Sequence, residues 1–225
     1  MSIITLTQEV EMNLTQRYNA IVDNFDSFTY HILGCGAIGS SAATQLVRMG
    51  ATNLNLYDMD IVGNENIGVS MFSSKHIGLD KTEALQKMCL EINQECDVRA
   101  IQGEFERHLP SGNDFIILGF DSMSSRLEAV TNILNFEKPE YLIDGRMGAE
   151  HYQQYVFKKP TLSQYKLTWY SDEEGDSEPC NAKATSYCSN MSGSFISNTI
   201  RKILMEQPYY KEFSFNFPTM YLDYK

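Results

Sequence analysis

The sequence is poor in positive charge. Among its 225 residues are 18 lysines and arginines against 29 aspartates and glutamates, which gives a formal net charge of −11. Binding to a nucleic-acid backbone or to an anionic membrane surface requires clustered positive charge. We therefore expect neither nucleic acid nor a membrane among the partners of this protein.

Long apolar runs and paired cysteines are also absent from the sequence. No stretch approaches the ~20 apolar residues of a membrane span, and residues 1–22 lack the apolar segment of a secretion signal. The five cysteines are an odd number, and no two of them form a CxxC pair. This pattern favours free thiols in a reducing cytoplasm over a disulfide framework, and it argues against a structural zinc site. The cysteines are Cys35, Cys89, Cys96, Cys180 and Cys188.

The first half of the chain alternates short apolar runs with amphipathic stretches. Strands are predicted at residues 30–33, 54–57, 115–118 and 141–143. Helices are predicted at residues 37–49, where Gly50 ends the pattern, at 81–92, and around an apolar stripe at 127–134. Strands alternating with helices indicate parallel βαβ units. The predicted fold class is therefore α/β: a Rossmann-like, mostly parallel sheet with helices on both faces.

The pattern changes after about Gly148. Residues 153–157 and 166–170 are predicted strands of a hairpin or meander, and residues 171–178 form an acidic loop. An apolar stripe at 195–204 predicts a last helix, and alternating phenylalanines at 213, 215 and 217 predict an edge strand. No change of composition marks a linker. We expect one domain over residues 1–225, with a Rossmann-like half up to 148 and a strand-rich, antiparallel half from 149.

A glycine-rich motif lies between the first predicted strand and the first predicted helix. Gly34, Gly36 and Gly39 match GxGxxG, and Asp58 ends the next strand 24 residues after Gly34. That spacing is close to the ~20 residues expected for a ribose-binding carboxylate. The glycines allow a tight turn, close approach of the backbone to a phosphate, and close packing of helix on strand. The motif predicts a nucleotide site without choosing between NAD, FAD and ATP.

The residues after Asp58 resemble a known family. The resemblance covers residues 17 to about 205 and concerns the ThiF/MoeB family, the bacterial relatives of ubiquitin-activating enzymes. Several short pieces carry it in the same order as in the family. They are Arg17-Tyr18-Asn19, the glycine motif, Asp58-Met59-Asp60-Ile61-Val62, Asn66-Ile67, Ile77-Gly78-Leu79-Asp80-Lys81, Asp121 to Arg126, Asp144-Gly145-Arg146-Met147-Gly148 and Glu178-Pro179-Cys180.

The resemblance implies roles for individual residues. Asp58 would hold the ribose hydroxyls, Asn66 and Lys81 would contact phosphates, and Asp121 would hold Mg²⁺. Cys180 would take the acyl group or assist sulfur transfer, so that the implied catalytic residues are Cys180, Lys81 and Asp121. The implied ATP-binding set is Gly34, Gly36, Ala37, Ile38, Gly39, Asp58, Asp60, Asn66 and Lys81.

The family reaction is the ATP-dependent adenylation of a C-terminal carboxylate with release of pyrophosphate. The resemblance therefore implies an adenylyltransferase whose partner is a small ubiquitin-like or sulfur-carrier protein with a C-terminal glycine. It also implies a homodimer, which is the usual oligomeric state in the family. ATP and Mg²⁺ are the implied cofactors.

Two departures from the family pattern leave alternatives open. Ala20 and Val69 stand where the family commonly has arginines that steady the triphosphate. Loss of two charge-assisted donors costs phosphate binding unless Arg126 or Arg146 replaces them. One alternative is a nucleotide-binding pseudoenzyme or scaffold of the same fold. Another is an NAD-dependent oxidoreductase that uses the glycine motif and Asp58 for the dinucleotide.

Simpler structural roles are also open for the candidate residues. Asp58 and Asp60 could form a turn, Lys81 could be an exposed lysine, and Asp121 could cap the helix that follows it. The carboxylates around Cys180 would disfavour its thiolate. The histidines show no metal-binding spacing and are interpreted as structural.

Overall fold

The computed structural model describes residues 14–103, 114–136, 138–173 and 184–225. One sheet contains the strands of these ranges. They are β1 (Thr29–Leu33), β2 (Asn53–Asp58), β3 (Asp97–Gln102), β4 (Asp114–Leu118), β5 (Tyr141–Gly148), β6 (His151–Lys158), β7 (Glu212–Asn216) and β8 (Tyr221–Tyr224).

In the described ranges helices alternate with the strands of the first half, and the last helix precedes β7 and β8. Among these residues no helix is both long enough and apolar enough to cross a lipid bilayer. The helices are α1 (Ala37–Arg48), α2 (Asn64–Ile67), α3 (Lys81–Ile92), α4 (Met123–Phe136), α5 (Leu162–Lys166) and α6 (Ser186–Leu204).

The sheet runs in the order β3-β2-β1-β4-β5-β6-β7-β8. Strands β3, β2, β1, β4 and β5 pair in parallel, whereas β5, β6, β7 and β8 pair antiparallel. This confirms the predicted Rossmann-like sheet with a strand-rich, antiparallel second half. The strand order reverses between β1 and β4. The carboxyl ends of β1, β2 and β4 therefore meet at the kind of edge where α/β proteins bind ligands.

Helices cover both faces of the sheet, as predicted. On one face Leu46 of α1, Leu85 of α3 and Ile200 of α6 belong to one buried apolar cluster. On the other face Val130 of α4 and Tyr165 of α5 belong to a second cluster. Because both faces are covered, the central strands are apolar on both sides, and all five residues of β4 are buried.

Three details differ from the prediction, two of them in the second half. Residues 166–170 are not a strand, since α5 ends at Lys166 and a turn follows. The amide of Gln164 donates to the Thr161 hydroxyl at 3.3 Å, which caps α5 and favours the helix. The strand with the alternating phenylalanines, β7, is internal, because β8 pairs with it and forms the edge. The polar strand β3 was not predicted.

A buried histidine in β1 links stability to pH. His31 is fully buried, with Nε2 3.7 Å from Asp114 Oδ1 and Nδ1 3.3 Å from the Tyr57 hydroxyl. Burial lowers the pKa of His31, although the neighbouring Asp114 favours the charged form. The unfolded chain therefore binds this proton near pH 6.5 and the folded chain only at lower pH. The free energy of unfolding must fall as the pH drops below about 6.5.

We expect the substitution His31→Gln to reduce the slope of the free energy of unfolding against pH below about pH 6.5. Each such histidine contributes at most about 1.4 kcal/mol per pH unit within its window. Burial also lowers the pKa of His76, which stays in both proteins, so the slope shrinks without vanishing. Urea denaturation at about pH 7.5, 6.5 and 5.5 measures the slope. Equal slopes for the two proteins would contradict the role of His31.

Candidate nucleotide site

A tight turn joins β1 to α1 at the carboxyl edge of the sheet. Gly34 has a positive φ of 90°. A Cβ on Gly39 would lie 1.9 Å from the carbonyl oxygen of Gly34, and a Cβ on Gly34 would lie 2.8 Å from the carbonyl carbon of Gly119. Gly34, Gly39 and Gly119 therefore allow the turn after β1, the loop after β4 and the start of α1 to pack backbone against backbone. Sequence reasoning missed Gly119, although a glycine directly after a buried apolar strand was a visible signal.

Gly36 differs from the other two motif glycines. It is half-buried at the start of α1, and a Cβ added to it would meet nothing within 4 Å. Packing inside the protein therefore gives no reason for a glycine there, whereas close approach of a ligand would. Ala37 is also half-buried, but the side chain of Ile38 lies in the apolar core. A ligand contact of Ile38 would therefore use its backbone.

Asp58 ties this turn to the segment after β2. Its Oδ2 accepts a hydrogen bond from the amide of Cys35 at 2.7 Å, and its Oδ1 accepts one from the amide of Asp60 at 2.9 Å. Burial raises the pKa of Asp58, while both amides and the charge of Lys81 oppose the shift. The carboxylate thus has the turn-forming role that was one alternative, and it sits at the mouth of the glycine turn.

Lys81 is held among carboxylates rather than exposed. It is the first residue of α3, its side chain is 11% exposed, and its Nζ lies 2.7 Å from Asp60 Oδ2. Burial opposes its charge, but the contact with Asp60 and the fields of Asp58 and Asp121 raise the pKa of Lys81. A cation at a helix N-terminus is unfavourable with respect to the helix dipole. Here nearby carboxylates compensate for that position.

Asn66 and Val69 lie in the segment between Asp60 and Lys81. The side-chain oxygen of Asn66 accepts from the amide of Gly63 at 2.8 Å, so it caps its own short turn. Val69 is half-buried and its carbonyl oxygen accepts from the Ser189 hydroxyl at 2.5 Å. Ala20 is exposed. The two positions at which arginines were expected therefore present apolar side chains.

Asp121 lies at the end of β4, on the loop that leads into α4. Its side chain is exposed. The first amides of α4 donate to another carboxylate, that of Asp172, at 2.5 Å from Met123 and 3.1 Å from Ser124. The amide of Ser125 donates to the Ser122 hydroxyl at 3.2 Å. Capping of α4 is therefore provided by Asp172 and Ser122, which sequence reasoning did not foresee.

A buried ionic network lies beneath this loop. Asp144 of β5 is fully buried and contacts the guanidinium groups of both Arg126 and Arg146, the latter at 2.7 Å. Arg146 also donates to the Thr168 carbonyl oxygen at 2.6 Å, and the Tyr165 hydroxyl donates to Asp144 at 3.1 Å. Both arginines are thus committed to protein partners. In this arrangement neither replaces the arginines expected at positions 20 and 69.

The described thiols belong to the interior. Cys35, Cys89, Cys96 and Cys188 are all buried. Burial raises the pKa of Cys35, and it raises the pKa of Cys89 to about 12. These thiols are therefore poor nucleophiles, as expected for core residues. Cys180, the candidate acyl acceptor, lies outside the described residues.

The donors at the carboxyl edge fit a nucleotide and one hard cation. The glycine turn leaves a space that a Cβ at position 36 would enter, and Lys81 places a positive charge among the carboxylates of this edge. Within the described ranges no group of three or more His, Cys, Asp or Glu side chains converges to form a preformed metal site. Mg²⁺ commonly uses one or two carboxylates together with substrate phosphates. Asp121 is the oxygen donor that suits this mode.

The sheet order and the turn at its switch point define a Rossmann-like α/β protein. The chain belongs to the ThiF family, because the model of the ThiF family matches residues 11–224. Relatives that match parts of the chain include proteins named as a ubiquitin-like modifier-activating enzyme and as an adenylyltransferase and sulfurtransferase.

Curated relatives match parts of the chain. Ubiquitin-like modifier-activating enzyme 5 of Arabidopsis thaliana is 38% identical over 78 residues, which are 33% of this chain and 18% of the relative. The tRNA threonylcarbamoyladenosine dehydratase of Bacillus subtilis strain 168 is 25% identical over 124 residues, which are 52% of this chain and 49% of the relative. The matched region thus spans less than half the length of these two relatives.

Solved structures share the fold over most of the chain. A crystal structure of E. coli MccB with ATP has a TM-score of 0.68 at 16% identity, covering 88% of this chain and 63% of that chain. A structure of PaaA has a TM-score of 0.66 at 16% identity, covering 89% and 73%. At this identity the likeness concerns the fold.

Proposed function

We propose that this protein is an ATP-dependent adenylyltransferase that activates the C-terminal carboxylate of a small ubiquitin-like or sulfur-carrier protein. The observation that carries the proposal is the convergence of the glycine turn, Asp58, Lys81 and Asp121 at the switch point of the sheet. Family membership supports the reaction type, and the ATP in the MccB structure supports the nucleotide.

The proposed chemistry joins the carrier carboxylate to the α-phosphate of ATP. A carboxylate oxygen attacks the α-phosphorus, the bond to the bridging oxygen of pyrophosphate breaks, and pyrophosphate leaves with the electron pair. Lys81 would offset the negative charge that grows on the phosphate oxygens, and the amides after Gly36 would face them. Asp58 would accept hydrogen bonds from the ribose hydroxyls. When bound, Mg²⁺ would neutralise further phosphate charge, with Asp121 as its protein ligand.

The proposed partner is a carrier protein whose chain ends in glycine, and a homodimer is the proposed assembly. The net charge of −11 favours a carrier with a basic face. Cys180 would receive the acyl group from the adenylate as a thioester, with AMP as the leaving group, or assist sulfur transfer. The buried thiols support a reducing cytoplasm as the proposed location.

A second candidate is a ThiF-family protein that binds nucleotide without turning it over. The specific observation in its favour is that three cations of this region already form ion pairs with carboxylates of the protein. Lys81 is paired with Asp60, and Arg126 and Arg146 are both paired with buried Asp144. Such a protein would bind Mg-ATP but would not exchange pyrophosphate in the presence of any carrier.

Thermal melts test the nucleotide site directly. A ligand at ~100 times its Kd stabilises by about 2.7 kcal/mol, which raises Tm by roughly 5–10 °C for a chain of this size. We expect this shift with Mg-ATP and none with NAD. An NAD shift without an ATP shift would instead favour an oxidoreductase. No shift with either ligand would overturn the proposed nucleotide site.

The substitution Lys81→Ala should remove at least about half of the Mg-ATP shift. A charge-assisted contact with phosphate contributes about 1.5–3 kcal/mol, so the affinity should fall roughly 10- to 100-fold. Lys75→Ala is the matched control, because Lys75 forms an exposed ion pair with Glu91 at 3.0 Å. If both variants keep the full shift, Lys81 does not contact the nucleotide. Pyrophosphate exchange with an added carrier then separates the enzyme from the non-catalytic binder.

A further inference from the structure

The segment of residues 168–172 is attached to α4 and to the buried network at several points. Its first residue, Thr168, accepts a hydrogen bond from Arg146 at 2.6 Å through the carbonyl oxygen. Trp169 Nε1 donates to the carbonyl oxygen of Met123 at 2.7 Å. Asp172 accepts from the amide of the same Met123 at 2.5 Å. The segment therefore forms hydrogen bonds with both the carbonyl oxygen and the amide of Met123, the first residue of α4.

The first turn of α4 continues directly from the loop that bears Asp121. Two residues separate Asp121 from Ser124, whose amide donates to Asp172 at 3.1 Å. The other side of the same loop is held by Arg126, which donates to the carbonyl oxygen of Phe120 and pairs with Asp144. The position of Asp121 is thus fixed from two directions, by Arg126 below and by Asp172 at the start of the helix.

We propose that Asp172 is a positioning residue for the metal end of the site: by capping α4 it fixes the place of Asp121. This inference rests on the proposed function, since Asp121 matters there as the ligand of Mg²⁺. Asp172 itself is exposed and lies 49 positions from Met123 along the chain. The cap is therefore formed by tertiary contact, and it can be removed without opening the core.

The variants separate positioning from general stability. Asp172→Ala removes both carboxylate oxygens that accept from the first amides of α4. Asp172→Asn keeps one acceptor oxygen, and asparagine is, like aspartate, a favourable capping residue. Glu173→Gln is the matched control, because it removes an exposed carboxylate one residue further along. Loss of a cap of this kind lowers Tm by roughly 2–4 °C in a chain of this size.

The readout is the Mg²⁺ dependence of nucleotide binding, measured by thermal melt and calorimetry without turnover. At fixed ATP we expect Asp172→Ala to need roughly 3- to 10-fold more Mg²⁺ for half of the stabilisation, in proportion to the strength of a helix cap. Asp172→Asn should restore most of the affinity, and Glu173→Gln should match the unsubstituted protein. Binding of adenosine, which has no phosphate, should be equal in all four proteins.

The outcomes distinguish this inference from the proposed function. If the unsubstituted protein shows no Mg²⁺-dependent binding of ATP, the proposed function fails. If it does, but Asp172→Ala has the same Mg²⁺ midpoint as Glu173→Gln, the positioning role is overturned and the function stands. A loss of adenosine binding in Asp172→Ala equal to the loss of ATP binding would also overturn it, because the effect would then be a general structural one.

Discussion

Replacing Asp144 by alanine is expected to destabilise the protein by about 3–5 kcal/mol. The carboxylate is fully buried and balances two guanidinium groups that are themselves buried, those of Arg126 and Arg146. Without it, two positive charges stay in the interior with only neutral acceptors. Breaking a buried pair is costly because the remaining charge is not compensated. Folded domains are stable by about 5–15 kcal/mol, so the loss is a large part of the total.

Urea denaturation of Asp144→Ala and Asp97→Ala measures this effect against a matched control. Asp97 pairs with Arg99 at 3.1 Å on the surface, where both side chains are more than half exposed. Exposed pairs of this kind contribute about 0–1 kcal/mol. A loss below about 1 kcal/mol for Asp144→Ala would mean that water reaches the network. The same loss in both variants would contradict the argument from burial.

The sequence predicted those parts of the fold that depend on local pattern. The apolar runs of β1, β2 and β4 and the stripes of α1, α3 and α4 are local signals, and they were sufficient to predict a parallel sheet. The glycine motif was recognisable because its spacing meets a backbone requirement. Asp58 and Lys81 were found with it, and both lie at the carboxyl edge of the sheet. Their contacts with a nucleotide remain predictions.

What could not be predicted depends on contacts between distant segments. Nothing near α4 in sequence indicates that Asp172 caps it, and an acidic stretch is typical of a solvent-exposed loop. Asp144 looked like part of a family motif. Its pair with Arg146 is local, two residues along β5, but its pair with Arg126 depends on how α4 packs on the sheet. Strand β3 was missed because Asp97 and Arg99 are exposed and only Val98 of these three is buried. At an edge strand the apolar signal is too short to recognise.

The helix α5 was not predicted, and the residues at and after its end, 166–170, were mistaken for a strand. Residues 166–170 mix aromatic and β-branched side chains, which favour a strand when they are considered alone. The Thr161 cap lies before this stretch and starts a helix that ends at Lys166. Residues 167–170 then form a turn and an irregular segment, so their strand propensity is not realised.

The glycine motif allows the fold and the ligand site to be tested separately. Gly39→Ala should cost about 3 kcal/mol or more in the free energy of unfolding. The added Cβ would lie 1.9 Å from the Gly34 carbonyl oxygen, and this neighbour is backbone that cannot rotate away. The turn would have to shift or α1 would have to move off the sheet. Urea denaturation without nucleotide measures the loss.

Gly36→Ala is the matched variant, and the opposite result is expected for it. Its Cβ would meet nothing within 4 Å, so the free energy of unfolding should change by less than about 1 kcal/mol. The methyl group would nevertheless stand where the backbone approaches a phosphate. The Mg-ATP shift in Tm should therefore fall sharply in a protein that is otherwise intact. If Gly36→Ala kept the full shift, the turn would serve packing alone, and the proposed adenylyltransferase would lose the part of its site that the sequence made most visible.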